Sequence, residues 1–313
     1  MPTVEILQAK SAHPFLQALR DALPLPQNLD ASLRRALRHV VENPGSMVRP
    51  QLAMQTAAAY GMDEARARDL AVALEYFHTA SLIFDDLPCM DDAQQRRGVA
   101  CVHRAHGQAE AILAALALIN RAYALTWRSM AGAAAPVQAR AMVFIEQCLG
   151  VEGLLNGQSL DLHYETLPHT VATTERIARG KTVSLIRLTL VLPAMLAGAA
   201  ESDLQLLERI STFWGLGYQM VDDLKDILQD ARESGKTPSR DALLGRPNVA
   251  AVLGIRPAVR RLTRMIDLGD RVLERLVARR PALGFLARLR GELQLELARV
   301  TRNSNALDEA LAS

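Results

Sequence analysis

Two clusters of aspartates are the residues whose types and spacing most clearly suggest chemistry. One is the run Asp85 to Asp92 (DDLPCMDD), and the other is the run Asp222 to Asp226 (DDLKD). Carboxylates repel one another, so dense clusters indicate that a cation lies among them. A hard divalent ion such as magnesium, which prefers oxygen ligands, is the natural candidate. The sequence therefore predicts a metal site that holds an anionic substrate.

Basic side chains flank both clusters. Arg96 and Arg97 follow the first cluster, and Lys236 follows the second within a Gly-Lys-Thr sequence. Guanidinium and ammonium groups beside metal-binding carboxylates suit a substrate with phosphate oxygens, which indicates a diphosphate. The sequence has no Walker loop and no glycine-rich dinucleotide motif, so we do not expect the diphosphate to belong to a nucleotide.

The elements that carry these clusters are predicted to be helices. Apolar residues recur at helical spacing, as in Leu70, Leu74 and Phe77 before the first cluster and Met220 and Leu224 around the second. Alanine and leucine are abundant and aromatic residues make up only 4% of the chain, which favours helix over sheet. Glycine and proline breakers divide the chain into about ten or more helices without a linker. Residues 1–313 are therefore predicted to form a single all-α domain.

The spacing within each cluster makes a further prediction. Asp222 and Asp226 are one helical turn apart, so they would share a helix face. Asp85 and Asp91 are six positions apart with a proline between them, so a straight helix would not align them. Either the helix ends and bends here, or only the first two aspartates and one later aspartate reach the metal.

The bulk composition argues against several classes of function. A formal net charge of +2 gives no reason to expect nucleic-acid binding. Three cysteines without zinc-type spacing suggest a reducing, cytoplasmic setting. The N-terminal residues lack a signal-peptide pattern, and the longest apolar run, residues 182–200, contains Arg187 and Pro193. We therefore predict a core helix in that run and no transmembrane segment.

Glu75 and His78 suggest another type of all-α carboxylate site, because they form a Glu-x-x-His pair. Di-iron helical bundles use two such pairs, and the sequence contains no second one. The di-iron hypothesis is therefore not favoured. His78 is instead either a ligand of the diphosphate or a hydrogen-bonded core histidine.

With both aspartate motifs placed on helices, the chain resembles the trans-isoprenyl diphosphate synthases, the farnesyl and geranylgeranyl diphosphate synthase family. The likeness extends from about Arg49 to Gly254 and rests on five ordered motifs. These motifs are His78 to Asp92 with Arg96-Arg97-Gly98, Gly157 to Leu162 (GQSLDL), Lys181-Thr182, Tyr218 to Asp226, and Gly235-Lys236. The resemblance implies an isoprenoid-synthase-type bundle of about ten or more helices around a central apolar cavity.

The resemblance also implies a reaction and assigns residues to it. Magnesium ions, three in number, would be bound with an allylic diphosphate, whose ionisation leaves an allylic cation that isopentenyl diphosphate attacks. The implied metal ligands are Asp85, Asp86, Asp91, Asp222, Asp223 and Asp226. The allylic diphosphate would contact Arg96, Lys181, Gln219 and Lys236, with Thr182 also among the substrate-binding residues. Isopentenyl diphosphate would contact Arg49, His78 and Arg97. The catalytic residues would be Asp85, Asp86, Asp222 and Lys181.

One departure from the family pattern leaves the second substrate open. Where the family has Gly-Gly-Lys-Arg-x-Arg-Pro, this chain has Pro44 to Pro50 (PGSMVRP), so Ser46 stands in place of a lysine that grips isopentenyl diphosphate and Met47 follows it. We favour a chain elongator. One alternative is an enzyme that ionises an allylic diphosphate and then cyclises it or passes it to a non-standard acceptor. Another is a non-catalytic regulatory subunit of a prenyl synthase.

Product length and assembly are predicted from the same resemblance. The family places a large aromatic residue shortly before the first aspartate motif when growth stops at fifteen carbons. Ala80 and Ser81, five and four positions before Asp85, are both small. A C20 product, geranylgeranyl diphosphate, is therefore expected. A homodimer is also expected, with helices rich in alanine and leucine as candidates for its interface.

Overall fold

A computed structural model describes residues 14–42, 45–228 and 245–312. Helices make up nearly all of the regular structure in these ranges, so the all-α prediction is confirmed. The exception is a short antiparallel hairpin of β1, Gln95–Arg96, and β2, Val99–Ala100, in which Gln95 pairs with Ala100. The chain divides into two compact units, Met1–Ala134 and Ala135–Ser313. The expected single domain and its central apolar cavity stay predictions.

The first unit contains the helices that lead to the first aspartate cluster and follow it. They are α1 (Pro14–Asp21), α2 (Ala31–Glu42), α3 (Val48–Ala59), α4 (Glu64–Asp85), α5 (Val102–His106) and α6 (Gln108–Ser129). Asp63 caps α4, because its side chain accepts a hydrogen bond from the Arg66 amide at 3.0 Å. Fully buried alanines, among them Ala71 on α4 and Ala114 and Ala122 on α6, let these two helices pack closely.

The second unit contains the helices around the second aspartate cluster. They are α7 (Ala135–Leu149), α8 (Leu154–Leu162), α9 (Val171–Ala178), α10 (Ser184–Leu196), α11 (Glu201–Leu228), α12 (Val249–Leu253), α13 (Ile255–Arg279) and α14 (Leu286–Ala312). Two 3₁₀ turns, Tyr164–Thr166 and Pro281–Phe285, and a π-helical segment, Arg179–Val183, lie between them. Helix α11 packs against α10, α13 and α14, and Trp214 on α11 is buried against Gly269 on α13.

The apolar run at residues 182–200 forms the end of the π-helical segment and helix α10, most of which is buried. The core-helix prediction for this run is confirmed. By length and composition alone, one described helix, α6, is apolar enough to cross a membrane. Core helices pass the same test. Since α6 packs against α4 within its unit, we assign it to the fold.

Candidate active site

The first aspartate cluster lies where helix α4 ends. Asp85 is the last residue of α4, and Asp86 caps its C-terminus. The chain then turns back, because the amide of Asp91 donates a hydrogen bond to the carbonyl oxygen of Asp85 at 3.0 Å. Of the two alternatives for this cluster, the helix end with a bend is confirmed. The bend brings the backbones of Asp85 and Asp91 together despite their six-residue spacing.

Arg96 holds Asp86 in a bidentate ion pair. The Arg96 Nε atom lies 2.9 Å from both carboxylate oxygens of Asp86, and its Nη2 atom lies 2.6 Å from Oδ1. Asp86 is buried, so the ion pair compensates for the hydration that its carboxylate loses. Arg96 belongs to strand β1, and the hairpin therefore positions the guanidinium against the end of α4.

The turn of the hairpin positions Arg97. Arg97 and Gly98 are its two central residues, and their φ angles of 57° and 81° are those of a type I′ turn, in which residues other than Asn, Asp and Gly are uncommon. The Arg97 guanidinium lies directly over Gly45, where a Cβ atom would overlap it. Glycine at position 45 therefore leaves room for this arginine beside the segment that precedes α3.

A buried polar group lies one to two turns before the end of α4. Arg49 donates a hydrogen bond from Nη1 to Nε2 of His78 at 3.0 Å, so the neutral imidazole carries its proton on Nδ1. Burial lowers the pKa of His78 well below 6.5, and the positive charges of Arg49, Arg97 and Arg96 lower it further. The position of His78 agrees with a hydrogen-bonded core histidine, since its ring is buried and bonded to Arg49. It also agrees with a role at the diphosphate, since Arg49 is itself predicted to bind isopentenyl diphosphate.

Glu75 is a buried carboxyl group one helical turn before His78. Burial raises its pKa, and the nearby charges of Arg49 and Arg97 partly oppose that effect. Glu75 also lines a small cavity with Arg97 and Met47. Met47 is buried there in a left-handed conformation, with φ 55°, whereas Ser46 is exposed. The segment that departs from the family pattern therefore places an apolar side chain beside Glu75.

The three aspartates of the second cluster differ in exposure. On α11, Asp222 is exposed, Asp226 is half-buried and Asp223 is buried. Both carboxylate oxygens of Asp223 accept hydrogen bonds, from Gln219 Nε2 at 3.0 Å and from the amide of Val249 at 2.8 Å. The predicted helical face of Asp222 and Asp226 is present, but Asp223 lies in a structural contact with the start of α12.

Two predicted substrate-binding residues belong to the same hydrogen-bond chain. The hydroxyl of Thr182 donates to Oε1 of Gln219 at 2.7 Å, and the Gln219 amide then donates to Asp223. Asn248 Nδ2 donates to the carbonyl oxygen of Asp223 at 2.9 Å, and its own oxygen caps α12. This chain fixes the orientation of the Gln219 amide between the π-helical segment and α12.

Lys181 lies on the π-helical segment and is paired with a buried aspartate. Its Nζ atom donates to Oδ2 of Asp161 at 2.8 Å. Arg246 Nη1 donates to the carbonyl oxygen of Asp161 at 3.3 Å. π-Helical turns are often found at functional sites, because the extra residue redirects a side chain. The segment thus places a cation beside the middle motif of the sequence.

The remaining predicted residues have different positions. Ala80 is fully buried on α4, and Ser81 is half-buried with its hydroxyl donating to the carbonyl oxygen of His78 at 2.8 Å. Phe77, one turn earlier, packs edge-to-face against Tyr123 of α6 with ring centroids 4.9 Å apart. Lys236 lies outside the described residues.

The aspartates suit magnesium by their chemistry, because magnesium prefers oxygen ligands. Within residues 14–42, 45–228 and 245–312, no three or more His, Cys, Asp or Glu residues lie close enough to one another to hold a metal ion by themselves. Magnesium keeps several waters and is commonly bound by one or two carboxylates together with substrate phosphates. The donor set therefore fits an ion that binds together with a diphosphate.

Four residues near these groups were not among the predicted site residues: Glu75, Asp161, Arg246 and Asn248. The sequence suggests Glu75 only as a member of a di-iron pair. Asp161 lies inside the Gly157 to Leu162 motif, which was the one signal that could have identified it. The partners of Arg246 and Asn248 lie 85 and 25 residues away in the chain, so no local pattern reveals them.

Comparisons with known proteins agree with this arrangement. The sequence profile of the family described as Polyprenyl synthetase matches residues 30–276. Geranylgeranyl pyrophosphate synthase 11, chloroplastic, from Arabidopsis thaliana is 34% identical over 250 residues, which are 79% of this chain and 70% of the relative. The putative geranylgeranyl pyrophosphate synthase 8 of the same plant is 34% identical over 244 residues, 77% of this chain and 68% of the relative.

Solved structures show the same fold. The apo structure of a FPP/GFPP synthase from Zymomonas mobilis has a TM-score of 0.76 and 25% identity, and the match covers 91% of this chain and 97% of that one. A Helicobacter pylori geranyltransferase complexed with magnesium and isoprenyl diphosphate has a TM-score of 0.76 and 24% identity, with coverage of 96% and 98%. The isoprenoid-synthase-type fold and the family resemblance are thus confirmed, and the chain belongs to the polyprenyl synthetase family.

Proposed function

We propose that this protein is a magnesium-dependent prenyltransferase that condenses an allylic diphosphate with isopentenyl diphosphate to give geranylgeranyl diphosphate. The observation that carries this proposal is that each unit has an aspartate motif held by hydrogen bonds to predicted substrate-binding residues. Arg96 pairs with Asp86 in the first unit, and Gln219, which accepts from Thr182, donates to Asp223 in the second. The names of the plant relatives support the C20 product.

The allylic half of the proposed site is chemically well provided. Three bound magnesium ions would be held by Asp85, Asp86, Asp91, Asp222, Asp223 and Asp226, and they would stabilise the charge of the departing diphosphate. Lys181 donates to the diphosphate oxygens from Nζ, and Gln219, oriented by Thr182, contributes a neutral donor. Preorganised donors of this kind act where negative charge develops and need no reorientation during the reaction.

The acceptor half of the proposed site uses fewer cations. Arg49 and Arg97 bind the diphosphate of isopentenyl diphosphate, and the neutral His78 orients Arg49 through its Nε2 atom. Glu75 balances part of the positive charge near both arginines. Loss of one charge-assisted contact at Ser46 weakens binding about tenfold to a hundredfold without preventing it. The elongator therefore remains the preferred function.

Ser46 and Met47 favour a second candidate function. Ser46 is exposed and Met47 is buried beside Glu75, so neither supplies a cation to an acceptor diphosphate. An enzyme with this pocket could cyclise the allylic cation or pass it to a neutral acceptor. The third candidate, a non-catalytic regulatory subunit, has no chemical need for six aspartates.

Release of diphosphate separates the three candidates. The purified chain is incubated with magnesium and farnesyl diphosphate, with and without isopentenyl diphosphate. Release that depends on isopentenyl diphosphate supports the elongator. Release from the allylic substrate alone, with a hydrocarbon or alcohol product, supports the second candidate and overturns the first. The absence of release under every condition supports the regulatory subunit.

We further propose that the protein is a homodimer in which α6 lies at the interface. The supporting feature is a row of exposed apolar side chains along α6, which includes Leu113, Leu116, Tyr123 and Trp127. Isolated apolar residues are common on surfaces, but a contiguous row on one helix indicates an interaction site. The cytoplasmic location stays a prediction, since the plant relatives are named as chloroplastic or mitochondrial.

A further inference from the structure

Asp161 is a buried carboxylate that contacts two cations in the second unit. Its Oδ2 atom accepts a hydrogen bond from Lys181 Nζ at 2.8 Å and lies 3.8 Å from Nε of Arg246. Its carbonyl oxygen accepts a hydrogen bond from Arg246 Nη1 at 3.3 Å. The side chain of Asp161 is 7% exposed, that of Arg246 10% and that of Lys181 29%. The carboxylate is therefore interior, and the lysine reaches from it toward the surface.

The backbone around Asp161 is held in register by two glycines. Helix α8, which carries Asp161, meets the π-helical segment, which carries Lys181, at Gly157 and Gly180. A Cβ atom on Gly180 would lie 2.7 Å from the Cα atom of Gly157, and one on Gly157 would lie 2.5 Å from the Lys181 amide nitrogen. Such close packing leaves little freedom for the Asp161–Lys181 pair, because no side chain fits between the two segments.

We propose that Asp161 is a positioning residue that holds Lys181 and Arg246 as a pair of cations for the diphosphate of the allylic substrate. This inference rests on the proposed function. Without a carboxylate between them, the two cations would repel each other and Lys181 would occupy many rotamers. With Asp161 in place, the Nζ donors of Lys181 have a fixed direction. Arg246 also lines a cavity of about 460 Å³ with Asn248, so its guanidinium has open space beside it.

The test compares Asp161→Asn with a matched control in the same unit. Asp203 is also buried, and it contacts Arg279 at 2.8 Å and Arg280 at 3.7 Å, but it belongs to no predicted site. Both substitutions remove one buried charge that is paired with two cations. The measurements are the thermal unfolding temperature, the Kd of inorganic pyrophosphate with magnesium by calorimetry, and KM and kcat for farnesyl diphosphate.

We expect Asp161→Asn to raise the Kd of pyrophosphate and the KM of farnesyl diphosphate by about tenfold or more. The reason is that Lys181, the proposed donor to the diphosphate, loses its charge-assisted contact with Asp161. Asp203→Asn should leave both constants within about twofold of the wild type while lowering the unfolding temperature. Lys181→Met should raise the Kd as well. Adding Asp161→Asn to Lys181→Met should then raise the Kd by less than it does in the wild-type background, because only the contact with Arg246 is left to lose.

The proposal is overturned if Asp161→Asn keeps the wild-type Kd for pyrophosphate, or if its effect on Kd simply adds to that of Lys181→Met. If Asp161→Asn does not fold, Asp161→Glu replaces it. The longer side chain displaces Nζ, so an unchanged Kd in that variant also overturns the proposal. Pyrophosphate binding is measured without turnover. Failure of the proposed function would instead appear as absent condensation by the wild-type protein, whatever the Kd values of the variants.

Discussion

Gln219 Nε2 lies 3.0 Å from Oδ1 of Asp223, whose other carboxylate oxygen accepts the amide of Val249 at 2.8 Å. Both carboxylate oxygens of Asp223 therefore accept hydrogen bonds from groups of the protein. Gln219, which donates one of these bonds, lies four residues earlier on the same helix. The neighbouring Asp222 is exposed on the same helix. Two adjacent carboxylates in one motif thus have different environments, so Asp223 contributes to stability in addition to the magnesium binding proposed for both.

Substitutions at these two positions should have different effects. Asp222→Asn should change the free energy of unfolding by less than about 0.5 kcal/mol, since the side chain is exposed. It should lower kcat about a hundredfold, because Asp222 is a proposed ligand of the magnesium ions that would stabilise the leaving diphosphate. Asp223→Asn should lower the free energy of unfolding by about 1–3 kcal/mol, because its new NH2 group would face another donor. Urea denaturation and steady-state kinetics provide both quantities. Equal destabilisation by the two substitutions would contradict this assignment.

His78 should make the stability of the protein depend on pH. Its pKa is well below 6.5 in the folded state, because the side chain is buried among Arg49, Arg96 and Arg97. The unfolded state therefore binds the proton more readily, and the contribution of His78 is fully present above about pH 6.5 and is lost as the pH falls through 6.5 toward the folded-state pKa. The urea concentration at the unfolding midpoint of the wild type should therefore decrease as the pH is lowered through that range.

The matched comparison uses two glutamine substitutions. His78→Gln should flatten the pH dependence of the urea midpoint, since the amide oxygen still accepts from Arg49 but does not titrate. His169→Gln should leave the dependence unchanged, because His169 is exposed. A His78→Gln variant whose midpoint falls with acid as steeply as that of the wild type would show that other groups are responsible.

Ser81 should control product length more directly than Ala80. Ser81 is half-buried one turn before Asp85, and an aromatic ring there would block an extending chain. Ser81→Phe should therefore shift the main product from C20 to C15, while Ser81→Ala should keep the C20 product. Ala80 has no exposed area, so Ala80→Tyr should overpack the core and cost about 1–3 kcal/mol of stability. Chromatography of the dephosphorylated products measures the lengths, and an unchanged C20 product from Ser81→Phe would place the end of the chain elsewhere.

The proposed dimer interface is tested at Trp127, whose 65% exposure is the largest among the exposed large hydrophobic residues of α6. Trp127→Glu should shift sedimentation from dimer to monomer, because a charge would be buried without a partner. Leu295→Glu is the matched control, since Leu295 is an apolar residue of α14 with 59% exposure. A monomeric wild type, or a dimer that survives Trp127→Glu, would place the interface elsewhere or remove it.

Local patterns were sufficient to predict the elements that carry the chemistry. Apolar periodicity predicts helices α4 and α11, and Pro88 makes a helix end before Asp91 one of two alternatives, which is the one that the structure shows. These features depend on residues close together in the chain, so a sequence reveals them. The burial of residues 182–200 was predicted for the same reason.

The partners of the site residues could not be predicted in the same way. Asp223 accepts a hydrogen bond from Val249 at the start of α12, 26 residues later. Arg96 reaches Asp86 only because the hairpin, with its two-residue turn, reverses the direction of the chain. Helical spacing tells which residues share a face, but it does not tell which segment packs against that face. The sequence therefore predicts Asp86 and Asp223 only as metal ligands and gives Asp161 no role, whereas all three are buried and hydrogen-bonded.

The most direct test of the central claim is transfer of label from isopentenyl diphosphate to farnesyl diphosphate. The purified protein is incubated with magnesium, unlabelled farnesyl diphosphate and carbon-labelled isopentenyl diphosphate, and the product is identified by mass spectrometry. The proposed function predicts a C20 diphosphate that carries one labelled five-carbon unit and forms only when magnesium is present. Diphosphate release with no label in any prenyl product would contradict it.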